Sequence, residues 1–218
     1  MAIVLPVILT KEVDGYLATL RREPDEVLAD MEAQAEREWI PVVPPETGEL
    51  LGLLARMRGA SRVVEIGTAI GVSTLYIARA LPSGGQVVSF EIDPARYEAA
   101  RDYLERAGVL DRADLRLQDA REGLASLEGP FDMAFVDAAK MQYADYIELL
   151  LPLLAPRAVV AIDNMLMNGT VATGSSDGNW TQDQIEMARA LNSRVVGMPE
   201  FEASLLPVGD GLLVAVRQ

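Results

Sequence analysis

The run Arg62-Val-Val-Glu-Ile-Gly-Thr-Ala-Ile-Gly71 constrains the fold more than any other stretch of the chain. Val63, Val64 and Ile66 read as a buried strand, Gly67 and Gly71 as a tight turn, and Val72 to Leu81 as the helix that follows. A strand feeding a helix through a glycine turn is the opening unit of an open parallel sheet, where ligands sit against bare backbone at the carboxyl ends of the strands. About twenty residues on, Phe90-Glu91-Ile92-Asp93 closes a second strand with an acid placed to read a pair of ribose hydroxyls.

The glycine spacing discriminates between ligands. A nicotinamide pyrophosphate calls for G-x-G-x-x-G, whereas this turn is G-x-x-x-G with Glu65 two residues before Gly67. A carboxylate there repels a pyrophosphate and suits a cationic or amino-bearing nucleoside, which favours S-adenosylmethionine. On this motif alone a dinucleotide site, and a structural turn with an incidental acid, stay open.

The rest of the chain alternates. After a charged helical lead-in from Glu12 to Trp39, interrupted near Pro24, the apolar stripe of Val13, Leu17, Leu20, Val27, Leu28 and Met31 ends at an extended Ile40-Pro-Val-Val-Pro-Pro45. A helix over 46–57 precedes the first strand at 62–66. Then come a helix at 72–81, a strand at 87–91, a helix at 94–107, a strand at 114–117 and a helix near 120–127. Next are a strand at 131–136, a helix at 142–154 and a strand at 157–162. Such alternation predicts an α/β fold with a mostly parallel sheet and helices on both faces. The end departs from it: strands at 202–207 and 212–216 joined by Gly209-Asp-Gly211 read as a hairpin. A mostly parallel sheet closed by an antiparallel strand is the Rossmann-like methyltransferase arrangement, not that of a dehydrogenase.

Composition narrows the chemistry. A chain of 218 residues is within the size of a single core, which splits beyond about 250 residues, so one domain is expected over 1–218, with 1–45 as lead-in and 46–218 as the ligand-binding core. The net charge of -14 disfavours nucleic acid as a partner. With neither cysteine nor histidine, disulfides, thiolate nucleophiles, Ser-His-Asp triads and the usual zinc sites are all excluded, and a metal here should be an oxygen-loving Mg²⁺, Mn²⁺ or Ca²⁺. Met1 to Leu9 is apolar but too short to span a bilayer and lacks a basic start or cleavage site, so no membrane association and a cytoplasmic location are expected.

Two further strands end in acids, at Phe131-Asp-Met-Ala-Phe-Val-Asp137 and Val159-Val-Ala-Ile-Asp163-Asn164. Neighbouring strands of a doubly wound sheet converge at their carboxyl ends, so Asp137, Asp163 and Asn164 can share one crevice as an oxygen set suited to Mg²⁺. The alternative is that Asp163 and Asn164 cap a turn and Asp137 caps the next helix. Lys140, three residues after Asp137, is either a surface lysine or an amine held beside whatever the cation binds, able to act as a general base in a chain without histidine.

Taken together, Glu65-x-Gly67, Phe90-Glu91, Val136-Asp-Ala-Ala-Lys140, Ile162-Asp-Asn-Met-Leu-Met-Asn168 and Leu206-Pro-Val-Gly-Asp-Gly211 resemble the cation-dependent O-methyltransferases of the catechol and caffeoyl-CoA type, over about residues 35 to 218. The resemblance implies a seven-stranded class I methyltransferase sheet with extra N-terminal helices, commonly a homodimer. It implies metal ligands at Asp137, Asp163 and Asn164 and a catalytic lysine at Lys140. Contacts to S-adenosylmethionine would fall on Val43, Glu65, Gly67, Thr68, Ser73, Glu91 and Ala120, with Asp137 beside them, and a substrate contact on Asn168. Val43 and Ala120 also read as plain packing, and Ser73 as a helix-start hydroxyl.

Two departures accompany the resemblance. Ala139 stands where the plant enzymes carry a second acid, and Met167 replaces a tryptophan common in the active-site loop. The stretch from Asn168 to Asn179, rich in Gly, Ser and Thr, is expected to be mobile and to shape the acceptor pocket. The activity so implied is methyl transfer from S-adenosylmethionine to one hydroxyl of a small vicinal-dihydroxy aromatic. The rivals are methylation of a hydroxylated tRNA base, a nicotinamide dehydrogenase and a non-catalytic binding module.

Overall fold

The computed structural model describes residues 10–218; the Met1 to Leu9 segment, whose lack of a membrane span was read above, lies outside the described residues. Three helices lead in: α1 (Lys11–Ala18), α2 (Glu26–Glu38) and α3 (Pro45–Arg58). The alternating core follows as β1 (Arg62–Ile66), α4 (Val72–Ala80), β2 (Gln86–Glu91), α5 (Pro94–Arg106), β3 (Ala113–Leu117), α6 (Ala120–Ala125), β4 (Phe131–Val136), α7 (Tyr143–Leu150) and β5 (Leu154–Ile162). It ends with α8 (Thr170–Thr173), α9 (Gln182–Gly197), β6 (Phe201–Leu206) and β7 (Leu212–Arg217).

The sheet has seven strands in the order β3-β2-β1-β4-β5-β7-β6. Strands β1 to β5 pair in parallel, while β7 runs antiparallel to both β5 and β6. This is the class I methyltransferase arrangement expected from the sequence. The two faces of the strands alternate: Val64, Ile66, Phe90, Val136 and Ile162 pack with Leu124, Ile147 and Ile185 of α6, α7 and α9. On the other face Val63, Val87, Phe135 and Ala161 pack with Met31, Leu51, Leu75 and Leu104 of α2 to α5. Because both faces are covered, the strands read as near-continuous apolar runs.

Register then places the functional ends. Ile66 pairs with Phe90 on one side and Val136 on the other, and Val136 pairs with Ile162. Gly67, Glu91, Asp137 and Asp163, each the next residue along, therefore stand in one row at the carboxyl edge of the sheet.

Four expectations need correction. The helix expected at 142–154 stops at Leu150, since Pro152 cannot continue it, and β5 starts at Leu154 instead of 157. Leu154 pairs with Phe131, the chain bulges through Pro156 and Arg157 (φ 61), and pairing resumes at Val159. The N-terminal part of the lead-in stripe does not join the core: Val13, Leu17 and Leu20 are exposed, whereas Leu28 and Met31 are buried. The loop expected from Asn168 to Asn179 contains α8, and the 16-residue α9 that follows it was not anticipated at all. Its signals are nonetheless local, a capping box between Thr181 and Gln184 and a buried row of Ile185, Ala188, Leu191 and Val195 at helical spacing.

Candidate functional site

A cleft of about 910 Å³ runs along the carboxyl edge of the sheet, and at one end its floor is the glycine turn after β1. Gly67 (φ 101) and Gly71 (φ 92) adopt backbone that side-chain-bearing residues rarely reach. A Cβ on Gly67 would stand 2.3 Å from the Asp137 carbonyl oxygen, so the close approach of β1 and β4 also demands glycine. The Gly67 and Thr68 N–H groups donate to the Phe90 carbonyl, locking the turn to β2.

Glu91 is fixed by three backbone donors: Ala69 N–H reaches Oε2 at 2.8 Å, and Ile92 and Asp93 N–H reach Oε1 at 2.8 and 2.9 Å. These bonds hold the carboxylate oriented on the cleft wall, ready to accept from a hydroxyl pair. Val43, Thr68, Ser73 and Ala120 line the same end, each nearly buried.

Glu65 is placed differently from the others. Period-two alternation turns it to the α4 side of β1, and it lies fully buried behind the cleft wall, not on it. Its Oε2 accepts from the Thr74 hydroxyl and, at 2.6 Å, from the Ser89 hydroxyl, while Oε1 has no partner among the described residues. Burial pushes its acid up to about 7; the Ser73, Ser89 and Thr74 hydroxyls work against that rise, and Asp137 adds to it.

Further along the cleft lie the residues of the oxygen set expected from the sequence. Asp137, Asp163 and Asn164 all line it, with Lys140 beside them. The Lys140 ammonium donates to Asp137 Oδ1 and to the Tyr143 hydroxyl, both at 2.7 Å. Asp137 therefore does not cap the following turn, which has no side-chain cap. Asp163 does take the Asn164 N–H at 2.8 Å through Oδ1, as the turn-capping alternative required. Burial, then the Asp137 charge, pushes the Asp163 acid up to about 8.

The fit to a cation follows from these donors. Among the described residues no three carboxylate, imidazole or thiolate groups gather into a ligand set, so a cation site here depends on the Asn164 amide as its third protein donor. Two carboxylates and an amide oxygen lining one cleft are the donor types that a hard divalent ion takes.

The other end of the cleft was only partly foreseen. Asn168 lines it, and its side-chain amide donates to Asp177 Oδ2 at 3.3 Å. Asp177 Oδ1 in turn takes the backbone N–H groups of Asn179 and Trp180, tying the 174–180 loop into a compact knot. Met167 is wholly buried and absent from the lining, whereas Trp180 reaches the cleft. Sequence reasoning missed Trp180, whose signal was a lone aromatic in a polar loop. It also missed Tyr143 beside Lys140, and Asp210, read only as part of a hairpin turn.

Comparison with known proteins agrees with this geometry. Residues 21–218 match the model of a family described as O-methyltransferase, so the match takes in α2, upstream of the resemblance noted in the sequence. A catechol O-methyltransferase of Niastella koreensis is 33% identical over 217 residues, covering 94% of this chain and 96% of that protein. Rice tricin synthase 2 is 37% identical over 182 residues, 80% of this chain but 62% of that longer protein. The crystal structure of the O-methyltransferase TomG from Streptomyces achromogenes, in complex with S-adenosylmethionine, superposes with a TM-score of 0.82 at 33% identity, over 95% of this chain and 96% of that one. With its fold, its glycine turn and its sequence all in agreement, the chain belongs to the O-methyltransferase family.

Proposed function

We propose that the protein transfers the methyl group of S-adenosylmethionine to one hydroxyl of a small vicinal-dihydroxy aromatic, of the catechol or caffeoyl kind, in a reaction that depends on a divalent cation, Mg²⁺ first among Mg²⁺, Mn²⁺ and Ca²⁺. The observation that carries this reading is the continuity of the cleft. The Gly67 and Glu91 end, which suits an adenosine, runs without a break into the Asp137, Asp163 and Asn164 end, where Lys140 sits beside Asp137.

In this reading Val43, Gly67, Thr68, Ser73, Ala120 and the Asp137 backbone enclose the cofactor, Glu91 accepts from its ribose hydroxyls, and Glu65 supplies negative charge behind Ser73 for its amine. Asp137, Asp163 and Asn164 would hold the cation, which when bound supplies Lewis-acid polarisation of an acceptor hydroxyl. Lys140, poised between Asp137 and the Tyr143 hydroxyl, takes the proton from the acceptor hydroxyl when it is present as the free amine. The oxygen then attacks the methyl carbon in line, as the carbon–sulfur bond breaks and S-adenosylhomocysteine leaves. Asn168 contacts the acceptor ring substituent. Orientation of two bound reactants accounts for most of the rate.

A chain-wide charge of -14 opposes a tRNA acceptor. The Glu65 acid behind the glycine turn and the antiparallel β7 oppose a nicotinamide. No helix among the described residues is long and apolar enough to cross a membrane. We take the chain to act as one domain in the cytoplasm and as a homodimer, for which the exposed Leu53 and Met57, one turn apart on α3, offer apolar surface.

The test is release of S-adenosylhomocysteine from the purified protein with a panel of catechols and caffeoyl esters, in Mg²⁺ or in EDTA. Release with vicinal diols in Mg²⁺ alone is expected. Equal release from a monophenol, or full release in EDTA, refutes the cation-dependent reading.

A further inference from the structure

Lys140 and Tyr143 stand three residues apart, joined by the 3₁₀ turn Lys140–Gln142 that runs directly into α7 at Tyr143. In such a turn the side chains at i and i+3 stand one above the other, so local structure alone brings the two together. Their surroundings differ: Lys140 lines the cleft, whereas Tyr143 is fully buried in the core that holds Val136, Ile147 and Ile162. A phenylalanine ring would fill that core position equally well. The hydroxyl is nonetheless present and makes two bonds, accepting from the Lys140 amine at 2.7 Å and donating to the Asp163 main-chain carbonyl at 3.4 Å.

Those two bonds decide which way the lysine nitrogen can act. Of its four tetrahedral positions one is its own carbon, one is directed at Asp137 Oδ1 and one at the Tyr143 oxygen, both at 2.7 Å, which leaves a single position for the cleft that Lys140 lines. A carboxylate only accepts, whereas a phenol can accept or donate, and a phenol without another partner would turn its proton onto the amine lone pair. The Asp163 carbonyl takes that proton instead, so toward Lys140 the Tyr143 oxygen accepts. As the free amine Lys140 has two N–H bonds and one lone pair. With both neighbours accepting, the N–H bonds stay on them and the lone pair is left in the position open to the cleft.

We propose that Tyr143 is a positioning residue: its hydroxyl, oriented by the Asp163 carbonyl, holds the Lys140 amine so that its lone pair faces the acceptor hydroxyl in the cleft. The inference rests on the reading of Lys140 as the base. In the step it serves, the acceptor O–H bond breaks and a third N–H bond forms on Lys140, while the oxygen keeps the electron pair with which it attacks the methyl carbon. Tyr143 neither gains nor loses a proton. Without its hydroxyl the amine keeps Asp137 as its one fixed acceptor, the second N–H and the lone pair exchange places, and the flexible four-carbon stem is free to carry the nitrogen away from the acceptor.

The experiment measures kcat and acceptor KM, with the diol of the panel above that wild type turns over fastest, for wild type, Tyr143→Phe, Lys140→Met and the double variant, together with S-adenosylhomocysteine affinity in EDTA and the thermal midpoint of each. Tyr143→Phe is expected to lower kcat about 10-fold, within the roughly 10²-fold that misplacing a reacting atom by about 1 Å can cost. Its acceptor KM and S-adenosylhomocysteine affinity should stay within about twofold, the split that marks a group acting on the reaction step. In the Lys140→Met background the same substitution should cost no more than about twofold in kcat, because no amine is left to aim. Wild-type kcat in Tyr143→Phe, with Lys140→Met slow, overturns the inference alone. An equal loss of kcat in both backgrounds, or a parallel loss of cofactor affinity and thermal midpoint in Tyr143→Phe, overturns it in favour of a purely structural hydroxyl. Wild type that releases no S-adenosylhomocysteine with any diol, or Lys140→Met as fast as wild type, overturns the reading of Lys140 as the base, and the inference with it.

Discussion

Replacing Glu65 by Gln tests whether the buried carboxylate serves the cofactor or only the fold. Its acid rises from 4.5 to about 7, burial being the main cause, with Asp137 pushing the same way and three hydroxyls pushing back. At about 1.4 kcal/mol per tenfold change, that rise sets a cost on the order of 3 kcal/mol against the ionised form in the unliganded fold. The sign follows from the proton count. Below pH 4.5 the group is neutral in folded and unfolded chains alike; between 4.5 and 7 the folded chain keeps a proton that the unfolded chain has lost, so stability falls as pH rises; above 7 the full cost is present. The Glu65→Gln variant has no such dependence. Thr74 and Ser89 donate to one oxygen only, so the new NH2 group would take the place of Oε1 without breaking either bond. The unliganded variant should therefore be more stable than wild type at pH 8, by up to roughly 6–12 °C at 2–4 °C per kcal/mol, and converge with it near pH 4.5.

Cofactor binding should respond in the opposite sense. An ammonium group near Ser73 favours ionised Glu65 from across the wall, and losing that charge weakens S-adenosylhomocysteine at pH 8, by no more than the roughly 10- to 150-fold that a direct charge-assisted hydrogen bond of about 1.5–3 kcal/mol would give. Wild-type affinity should also drop by about tenfold per pH unit below 7, while that of Glu65→Gln stays flat. Calorimetric titration in EDTA from pH 5.5 to 8, with thermal melts of the unliganded proteins, reads both effects. If Glu65→Gln binds within twofold of wild type with the same pH slope, Glu65 has no part in the cofactor site and is a structural acid.

Gly67→Ala should cost about 2–5 kcal/mol, since left-handed strain and a backbone clash with Asp137 add together, whereas Gly84→Ala, with φ 77 and no atom within 4 Å of its new Cβ, should cost only about 1–2 kcal/mol. Equal thermal midpoints for the two would refute the close-approach explanation. Lys140→Met should lower turnover at least 10²-fold while leaving S-adenosylhomocysteine affinity nearly unchanged, as expected for a group that moves a proton. Lys140→Arg, which keeps a cation for Asp137 but cannot release a proton, should be as slow as Met, and recovery of rate in Arg would make the role electrostatic.

The row of acids at the strand ends was legible because each acid breaks an apolar run. Glu91, Asp137 and Asp163 follow strands buried on both faces, where a charged residue has no place until the chain leaves the sheet, and parallel register then brings successive strand ends together. Glu65 was legible as an exception inside such a run, but its direction was not. Alternation puts it with Val63 on the α4 face, so it lies behind the wall. Helix α9 was missed although Thr181, Gln184 and the Ile185, Ala188, Leu191, Val195 row are all local, because the polar stretch before it reads as continuing loop.

Asp210 marks a deeper boundary. Its bond to Asn168 spans 42 residues and exists only because β7 inserts between β5 and β6, so that the hairpin turn returns to the carboxyl end of β5. Nothing in the composition of a Gly-Asp-Gly turn indicates which segment it will meet. The acids at the strand ends carry their own signal, whereas the groups that bond to them from crossings of distant segments carry none. Likeness in the first set therefore agrees with membership of the O-methyltransferase family, while the far end of the cleft, where Trp180 and Asp210 stand with Asn168, is built by the second.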